Sequence, residues 1–410
     1  MKSQGNFVNG SWQLGHGISF VSLSPNNDEV VWEGRASIAD DVNECIMGAG
    51  KALKSWSETP VDERINYVRE FAEIVKVNSN SLAEAIAMEI GKPLWEAKAE
   101  VSSVIGKFEL TANAYKERCS EIVKEIPAGK SRTQYKPIGI MAVIGPFNFP
   151  CHMPNGHIMP ALISGNVVIF KPSEKGAMSA ELMMRFWAQA GLPAGVINML
   201  HGDGTTGEII VSDTRINGVL FTGSYSVGEK IRTTCSTEKM CALEMGGNSP
   251  LIVWDASDVD SAVISTIQSA FITSGQRCSA ARRLIIPNNI FGETFIQKLI
   301  ETTKRIVVGR YDGEVEPFMG PIRSSNMVDA IMKEQDSLAC DGAEILVKCE
   351  RLPISSCFVS PGIIDVTKVK SIDDKEIIGP FLKLTRVNTF SDAIDVANNT
   401  AYGLAAGVFT

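Results

Sequence analysis

Between Gly139 and Gly223 the sequence repeats one pattern four times: a short, continuous apolar run is followed by a turn and then by a helical segment. The four runs lie in GIMAVIGP, NVVIFKPSE, VINMLHG and NGVLFTGS. Strands that are apolar on both faces are typical of a parallel sheet covered by helices on both sides. The pattern therefore predicts an α/β fold built on a parallel sheet, and a further α/β unit begins with PLIVWD.

The residues from about Asp41 to Lys116 read as successive helices. One of them is predicted to begin with Thr59 as its N-cap and Pro60 at its first helical position. Its buried face is predicted from apolar residues at helical spacing, namely Ile65, Val68, Phe71 or Ala72, and Val75. The next segment, CSEIVKEIPAGKSRTQYKPIG, has two alternating runs around a Pro-Ala-Gly turn and predicts a projecting β-hairpin.

The composition limits the classes of partner. With 410 residues and a formal charge of −8, the chain has no run of Lys or Arg that would indicate binding to nucleic acid or to an anionic membrane. No apolar stretch predicts a signal peptide or a membrane span. The nine cysteines lack C-x-x-C spacing, and the four histidines form no metal-ligand pattern. We therefore expect a cytoplasmic protein with small-molecule partners and no metal.

Three strand ends carry candidate ligand-binding residues, because ligands of open parallel sheets bind at the carboxyl ends of the strands. Lys171 and Glu174 follow the second apolar run. The third run leads into GDGTTG, which matches G-x-G-x-x-G, and the fourth leads into GSYSVG, where a helix near Val227 could present free N–H groups to a phosphate. A dinucleotide fingerprint belongs after the first strand with an acid downstream, so GDGTTG is interpreted as an ordinary turn with Asp203 exposed.

Three further segments carry reactive side chains, each with a structural alternative. Glu244 in LEMGGNSP is either a satisfied buried carboxylate or a general base whose pKa is raised by desolvation. Cys278 follows Arg277, whose charge could favour a thiolate, although a single cysteine is more often an inert apolar residue. Asn148 follows a strand end, and the nearby Cys151-His152 pair leaves open a Cys–His hydrolase.

Seven segments carry a resemblance to a known family: in order, NFP, KPSE, FTGSYSVG, LEMGGNSP, GQRC, EIIGP and YGLAAGVFT. Together they resemble the NAD(P)-dependent aldehyde dehydrogenase superfamily over nearly the whole chain. The resemblance implies a Rossmann-like NAD-binding domain at 1–122 and 139–246, an oligomerisation hairpin at 123–138 and a catalytic domain at 247–410. It also implies a homo-oligomer in which the hairpin edge is paired.

The resemblance assigns roles to residues. Cys278 would be the nucleophile, Asn148 would hold the oxyanion together with the Cys278 N–H, and Glu244 would activate the water that hydrolyses a thioester. Glu174 would repel a 2′-phosphate and so favour NAD over NADP. The residues implied in cofactor binding are Lys171, Glu174, Gly223, Ser224, Tyr225, Ser226, Val227, Gly228 and Glu376.

Within the superfamily, three segments are most similar to the enzymes that oxidise N-succinylglutamate 5-semialdehyde in arginine catabolism: GPFNFPCHMPNGHIMPAL, EIGKPLWEAKAEV and QSAFITSGQRCSAARRL. Gly156 stands where many relatives carry a bulky side chain, which indicates room for a large acyl chain. The carboxylates of this substrate would need partners, and the candidates are Arg277, Arg282, Arg283, Asn155 and His157. The alternative is that the arginines are ordinary structural charges.

The chain ends at YGLAAGVFT, where members of the superfamily continue, so a catalytic domain short at its C-terminus is expected. Three alternatives to the predicted function stay open. One is a different semialdehyde dehydrogenase of the same fold, including a CoA-acylating type, against which Glu244 argues. The others are a related protein without turnover and the Cys–His hydrolase.

Overall fold

The computed structural model describes the whole chain, from Met1 to Thr410. Its α-helices are, in chain order, α1 (Ala39–Glu58), α2 (Val61–Val77), α3 (Ser79–Ile90), α4 (Leu94–Arg118), α5 (His152–Ile163), α6 (Ala177–Gln189), α7 (Gly204–Ser212), α8 (Tyr225–Thr234), α9 (Val259–Phe271), α10 (Ile290–Lys304), α11 (Ser325–Cys340) and α12 (Phe390–Asn398). Two short 3-10 helices cover Glu174–Gly176 and Ile272–Gly275. No helix combines the length and the apolar character needed to cross a membrane.

The β-strands are, in chain order, β1 (Asn6–Val8), β2 (Ser11–Gln13), β3 (Ser19–Leu23), β4 (Val30–Arg35), β5 (Ile122–Ile126), β6 (Gly129–Thr133), β7 (Ile140–Ile144), β8 (Val167–Lys171), β9 (Ile197–Met199), β10 (Gly218–Gly223), β11 (Met240–Met245), β12 (Pro250–Val253), β13 (Arg283–Pro287), β14 (Glu344–Val347), β15 (Gly362–Asp365), β16 (Phe381–Val387) and β17 (Gly407–Phe409). The chain divides into two compact units. The first consists of Met1–Leu23, Val30–Glu89 and Ala97–Glu244, and the second of Ser24–Glu29, Ile90–Glu96 and Met245–Thr410.

The first unit is built on a seven-stranded sheet in the order β11-β10-β7-β8-β9-β1-β2. The four predicted apolar runs form β7, β8, β9 and β10, which pair in parallel, and β1 joins the sheet antiparallel to β9. Every residue of β7 and β8 is buried. Helices α1 and α7 pack against each other and the sheet, while α5 packs on β7, β8 and β10 and contacts α2. The predicted parallel α/β architecture is confirmed.

Helix α2 begins one residue later than the sequence pattern predicts. Pro60 is its N-cap, and its first helical residue is Val61. Thr59 does not cap α2, because its hydroxyl donates to the carbonyl of Ser55 and so closes α1. The predicted apolar face is confirmed, since Ile65, Val68, Phe71, Ala72 and Val75 are all buried.

The predicted hairpin is present as β5 and β6. The two strands pair only with each other, from Ile122 opposite Thr133 to Ile126 opposite Gly129. All ten strand residues are exposed, including the apolar side chains of Ile122 and Val123. Within one chain, the hairpin therefore has two unpaired edges.

The second unit contains a six-stranded sheet in the order β14-β15-β16-β13-β12-β17, parallel except for β14. Alternate residues of β13 face opposite sides, as expected of a strand. Leu284 and Ile286 belong to a core with Phe271 of α9, whereas Ile285 packs with Ala393 of α12. The segment that contains Cys278 connects α9 to β13, which is a largely buried strand in the middle of this sheet.

Candidate active site

The segment before Cys278 has an unusual backbone. Thr273, Ser274 and Gly275 have φ angles of 57°, 54° and 66°, so three consecutive residues lie in the left-handed region. For residues other than glycine this conformation costs about 1–3 kcal/mol each, and it persists only where the surroundings enforce it. Gly275 has no alternative, because a Cβ there would lie 2.1 Å from the carbonyl oxygen of Gly379. The sharp turn therefore needs specific side-chain support.

Glu96 supplies part of this support. Its buried carboxylate accepts hydrogen bonds from the Thr273 hydroxyl and, at 3.2 Å, from the Thr273 N–H. Arg277 donates to Glu96 at 3.0 Å and to the Thr273 hydroxyl at 2.7 Å. The Arg277 guanidinium is thus engaged with a buried carboxylate, which favours the structural alternative for this residue over a role as the cation beside Cys278.

Arg282 is the cation whose charge reaches Cys278. Its side chain is only 1% exposed, and burial lowers its pKa to about 10, while Glu376 and Cys278 act in the opposite direction. The guanidinium donates to main-chain carbonyls of the same loop region, those of Gly275, Arg277 and Gly379. Arg282, which follows Cys278, therefore holds the backbone directly before the thiol, at Gly275 and Arg277, and ties it to Gly379.

Glu376 lies on the far side of the Arg282 guanidinium. The distance from its Oε1 to Arg282 Nη2 is 3.7 Å, and burial raises the pKa of Glu376 while Arg282 opposes that shift. Its carboxylate also lies against Gly246, where a Cβ would stand 2.0 Å from Oε2. Arg282 therefore links two sequence-predicted residues of the second unit, Cys278 and Glu376.

Arg283 and Asn155 were candidates for binding substrate carboxylates, and their hydrogen bonds show structural roles. Arg283 donates to the carbonyls of Asn248, Val396 and Ala397 at 2.8 Å each. The Asn155 side chain is fully buried, and it bonds the Cys151 carbonyl and the Trp187 indole N–H. Neither side chain is left to bind an anion.

Asn148 is half-buried in the turn that joins β7 to α5. The end of this turn is fixed by Glu100, whose carboxylate accepts the N–H groups of Cys151 and His152, both at 3.1 Å. Cys151 itself is completely buried, and its Sγ donates to the Ser179 carbonyl. The Cys–His hydrolase is contradicted, because this thiol is not accessible to a substrate.

Glu96 and Glu100 were missed by the sequence reasoning, although a signal was present. They lie four residues apart on the buried stripe of α4 that continues through Val104 and Phe108. A carboxylate at a buried position must be hydrogen-bonded, and here each one binds a loop that carries a candidate site residue. The spacing would have identified them as positioning residues.

At the carboxyl end of β8, Lys171 is fully buried and its Nζ donates to the carbonyls of Pro172 and Gly202 at 2.7 Å each. Burial lowers the pKa of Lys171 to about 8, and the charges of Glu174 and Asp203 oppose that shift. Glu174 is half-buried at the start of a 3-10 turn. The two residues are thus held beside the end of β9, at the sheet edge where a ligand is expected.

The two glycine-rich turns each lead into a helix whose N-terminus is capped by a side chain, and the second leaves its first helical turn exposed. In GDGTTG, Asp203 is exposed, as the sequence interpretation states, and it also caps α7 by accepting the Thr205 N–H at 2.9 Å. In GSYSVG, Ser224 caps α8 at 3.4 Å, and the helix begins at Tyr225, two residues before the predicted start. Tyr225, Ser226 and Val227 are exposed, so the first turn of α8 is accessible to an anion.

Glu244 lies near the end of β11 and is exposed, so both the buried, satisfied carboxylate and a base desolvated by burial are contradicted. Its charge acts on His157, whose Nε2 is 3.1 Å from the Thr222 hydroxyl. Burial lowers the pKa of His157, Glu244 raises it, and Lys107 lowers it further. Within the first unit, the charges of Glu244 and Lys107 therefore both act on His157.

Comparison with known protein families gives one match over nearly the whole chain: the model of the aldehyde dehydrogenase family covers residues 12–410. The chain is 43% identical over 404 residues to the N-succinylglutamate 5-semialdehyde dehydrogenase of Paraburkholderia xenovorans, covering 98% of this chain and 83% of that protein. It is 42% identical over 412 residues to the protein of the same name from Photorhabdus laumondii, covering 100% and 84%.

Solved structures give the same result for the fold. The methylmalonate-semialdehyde dehydrogenase of Oceanimonas doudoroffii superposes with a TM-score of 0.95 at 27% identity, covering 100% of this chain and 85% of that one. The betaine aldehyde dehydrogenase of Staphylococcus aureus, in complex with NAD⁺, has a TM-score of 0.93 at 28% identity, covering 100% and 83%. The predicted fold class is confirmed.

Proposed function

The chain belongs to the aldehyde dehydrogenase family, and from this premise we propose that it oxidises N-succinyl-L-glutamate 5-semialdehyde to N-succinyl-L-glutamate with NAD. The observation that supports this substrate is sequence identity: the chain is 42–43% identical, over at least 98% of its length, to four relatives named N-succinylglutamate 5-semialdehyde dehydrogenase. The position of Cys278 in a loop fixed by Glu96 and Arg282 supports the chemistry.

The proposed reaction begins at Cys278. Its thiolate forms a bond to the aldehyde carbon, and the carbonyl electrons move to oxygen, where the Asn148 amide and the Cys278 N–H would stabilise the negative charge. NAD supplies the acceptor for the hydride that leaves this carbon, so that a thioester to Cys278 remains. Glu244 then takes a proton from water, the water oxygen attacks the thioester carbonyl, and the Cys278 thiolate departs.

The residues at the edge of the first sheet fit a dinucleotide. The accessible N-terminus of α8, at Ser224 and Tyr225, suits a pyrophosphate because its N–H groups and helix dipole favour negative charge. Lys171 and Glu174 would hold the adenosine ribose, and Glu376 the nicotinamide ribose. The solved neighbour that contains NAD⁺ supports the same cofactor.

Glu174 carries a prediction about the choice of cofactor. Replacing it with glutamine removes a negative charge that would repel a 2′-phosphate. We expect the ratio of kcat/KM for NAD to that for NADP to fall by about tenfold, equivalent to about 1.4 kcal/mol. Initial rates of nicotinamide reduction measure this ratio, and Glu301→Gln on the exposed surface of α10 is the control. An unchanged ratio would contradict the assigned role.

Glu244 carries a prediction about the second half of the reaction. In Glu244→Gln the thioester should form at nearly the normal rate but hydrolyse slowly, because glutamine cannot accept the proton of water. We expect a burst of about one NADH per Cys278, followed by a steady-state rate reduced by roughly 10²–10⁴-fold. Stopped-flow absorbance measures both phases, and the exposed Glu238→Gln is the control. Loss of the burst itself would assign Glu244 to an earlier step.

The direct test of the proposed function follows NADH absorbance after the protein is mixed with NAD and the succinylated semialdehyde. Formation of NADH together with N-succinylglutamate supports the proposal. A reaction that requires CoA, or one that proceeds with other semialdehydes and not with this one, would contradict it.

Two further properties are proposed on structural grounds. The exposed, unpaired edges of β5 and β6 support a homo-oligomer in which a second copy pairs with the hairpin. All nine cysteines are free thiols, which supports a reducing compartment such as the cytoplasm.

A further inference from the structure

We propose that Lys107 determines substrate specificity by binding the terminal carboxylate of the succinyl group, in a space that Gly156 leaves open. The inference rests on the proposed function, because it concerns how that substrate is recognised. Both residues belong to the first unit, Lys107 on α4 and Gly156 on α5.

The space beside Gly156 is defined by its neighbours. A Cβ built on Gly156 would have only two atoms within 4 Å outside its own helix turn, the Cε and Nζ of Lys107, both at 3.9 Å. The glycine is half-buried and has an ordinary φ angle, so its backbone conformation does not require glycine. The missing side chain instead leaves a gap that ends at an ammonium group.

The ammonium group of Lys107 is not held in a salt bridge. None of the ion pairs in the chain involves Lys107, and its side chain is half-buried. Its charge acts to lower the pKa of His157, and the carboxylate that acts on His157 in the opposite direction is the exposed Glu244. A partly desolvated cation of this kind gains free energy when an anion binds to it.

Three of the residues predicted to bind the substrate carboxylates are already engaged. Arg277 is paired with Glu96, Arg283 binds three carbonyls, and the Asn155 amide is buried among protein partners. Lys107 therefore remains as the accessible cation for a carboxylate. The succinyl group places its carboxylate at the end of a flexible chain. The chain needs the space beside Gly156, and the carboxylate needs the ammonium group of Lys107.

The test compares N-succinylglutamate 5-semialdehyde with N-acetylglutamate 5-semialdehyde, which lacks the terminal –CH2–COO⁻ of the succinyl group. In Lys107→Met we expect KM for the succinylated aldehyde to rise about 10–100-fold with kcat nearly unchanged, the range expected for loss of a charge-assisted hydrogen bond. KM for the acetylated aldehyde should stay the same. Lys107→Arg should restore part of the affinity, and the exposed Lys98→Met on the same helix is the control.

A KM for the succinylated aldehyde that does not change in Lys107→Met, or that rises equally for both aldehydes, would overturn the inference. Gly156→Leu provides a second test, because its side chain should fill the gap and impair the succinylated aldehyde selectively. If the wild-type protein does not oxidise the succinylated aldehyde at all, the proposed function fails. Calorimetric binding of N-succinylglutamate then tests Lys107 separately: binding that is lost in Lys107→Met supports the carboxylate site, and no difference between the proteins contradicts it.

Discussion

Replacing Cys278 with serine is expected to reduce NADH formation by about 10⁴-fold or more, the scale seen when a covalent nucleophile is removed. The serine hydroxyl is essentially un-ionised at neutral pH, and this side chain has no base assigned to activate it, so the bond to the aldehyde carbon does not form. The fold should be unaffected, because the substitution changes one half-buried atom. The measurement is nicotinamide absorbance at saturating aldehyde and NAD.

The exposed Cys340→Ser at the end of α11 is the matched control and should retain wild-type activity. Thermal unfolding of Cys278→Ser should coincide with that of the wild type. Retention of more than a tenth of the activity by the folded serine variant would rule out Cys278 as the nucleophile.

Arg282→Met is expected to lower the free energy of unfolding of the second unit by about 3–5 kcal/mol, as is usual when one partner of a buried ionic group is removed. Methionine fills a similar volume but leaves three loop carbonyls without their donor and Glu376 without its nearest cation. The loop that bears Cys278 then loses its support, so NADH formation should fall as well. The midpoint of urea unfolding, followed by far-UV circular dichroism, measures the stability change.

Arg305→Met, on the exposed surface after α10, should leave the urea midpoint unchanged. Arg282→Lys keeps the charge but not the planar fork, and we expect it to fall between the wild type and the methionine variant. A wild-type midpoint in Arg282→Met would show that these hydrogen bonds do not stabilise the loop.

The parts of the fold that were predictable from sequence are those encoded locally. The runs that became β7 and β8 are continuously apolar up to Lys171, and a short run of this kind between turns is typical of a strand buried on both faces. The position of GDGTTG after the third strand was sufficient to predict an ordinary turn with Asp203 exposed, as the structure has it.

The parts that were not predictable depend on residues far apart in the sequence. Arg277 directly precedes Cys278, which suggested a cation beside the thiol, yet its guanidinium pairs with Glu96, 181 residues away in the sequence. Asn155 looked available because an amide is polar, but it fills a buried position between α5 and α6. Glu244 looked buried because its neighbours are apolar, whereas the end of β11 turns its side chain to solvent.

The three left-handed residues before Cys278 have a consequence for protein engineering. A chimera that transplants residues 272–282 into another scaffold would carry the strained turn and Arg282 but not Glu96, which lies on α4. The turn would then lack the carboxylate that binds Thr273 and Arg277, and the transplanted thiol would sit on a relaxed backbone. The loop that bears Cys278 is contiguous in sequence, but the smallest transferable unit is discontinuous and includes Glu96 of α4, 181 residues before Arg277.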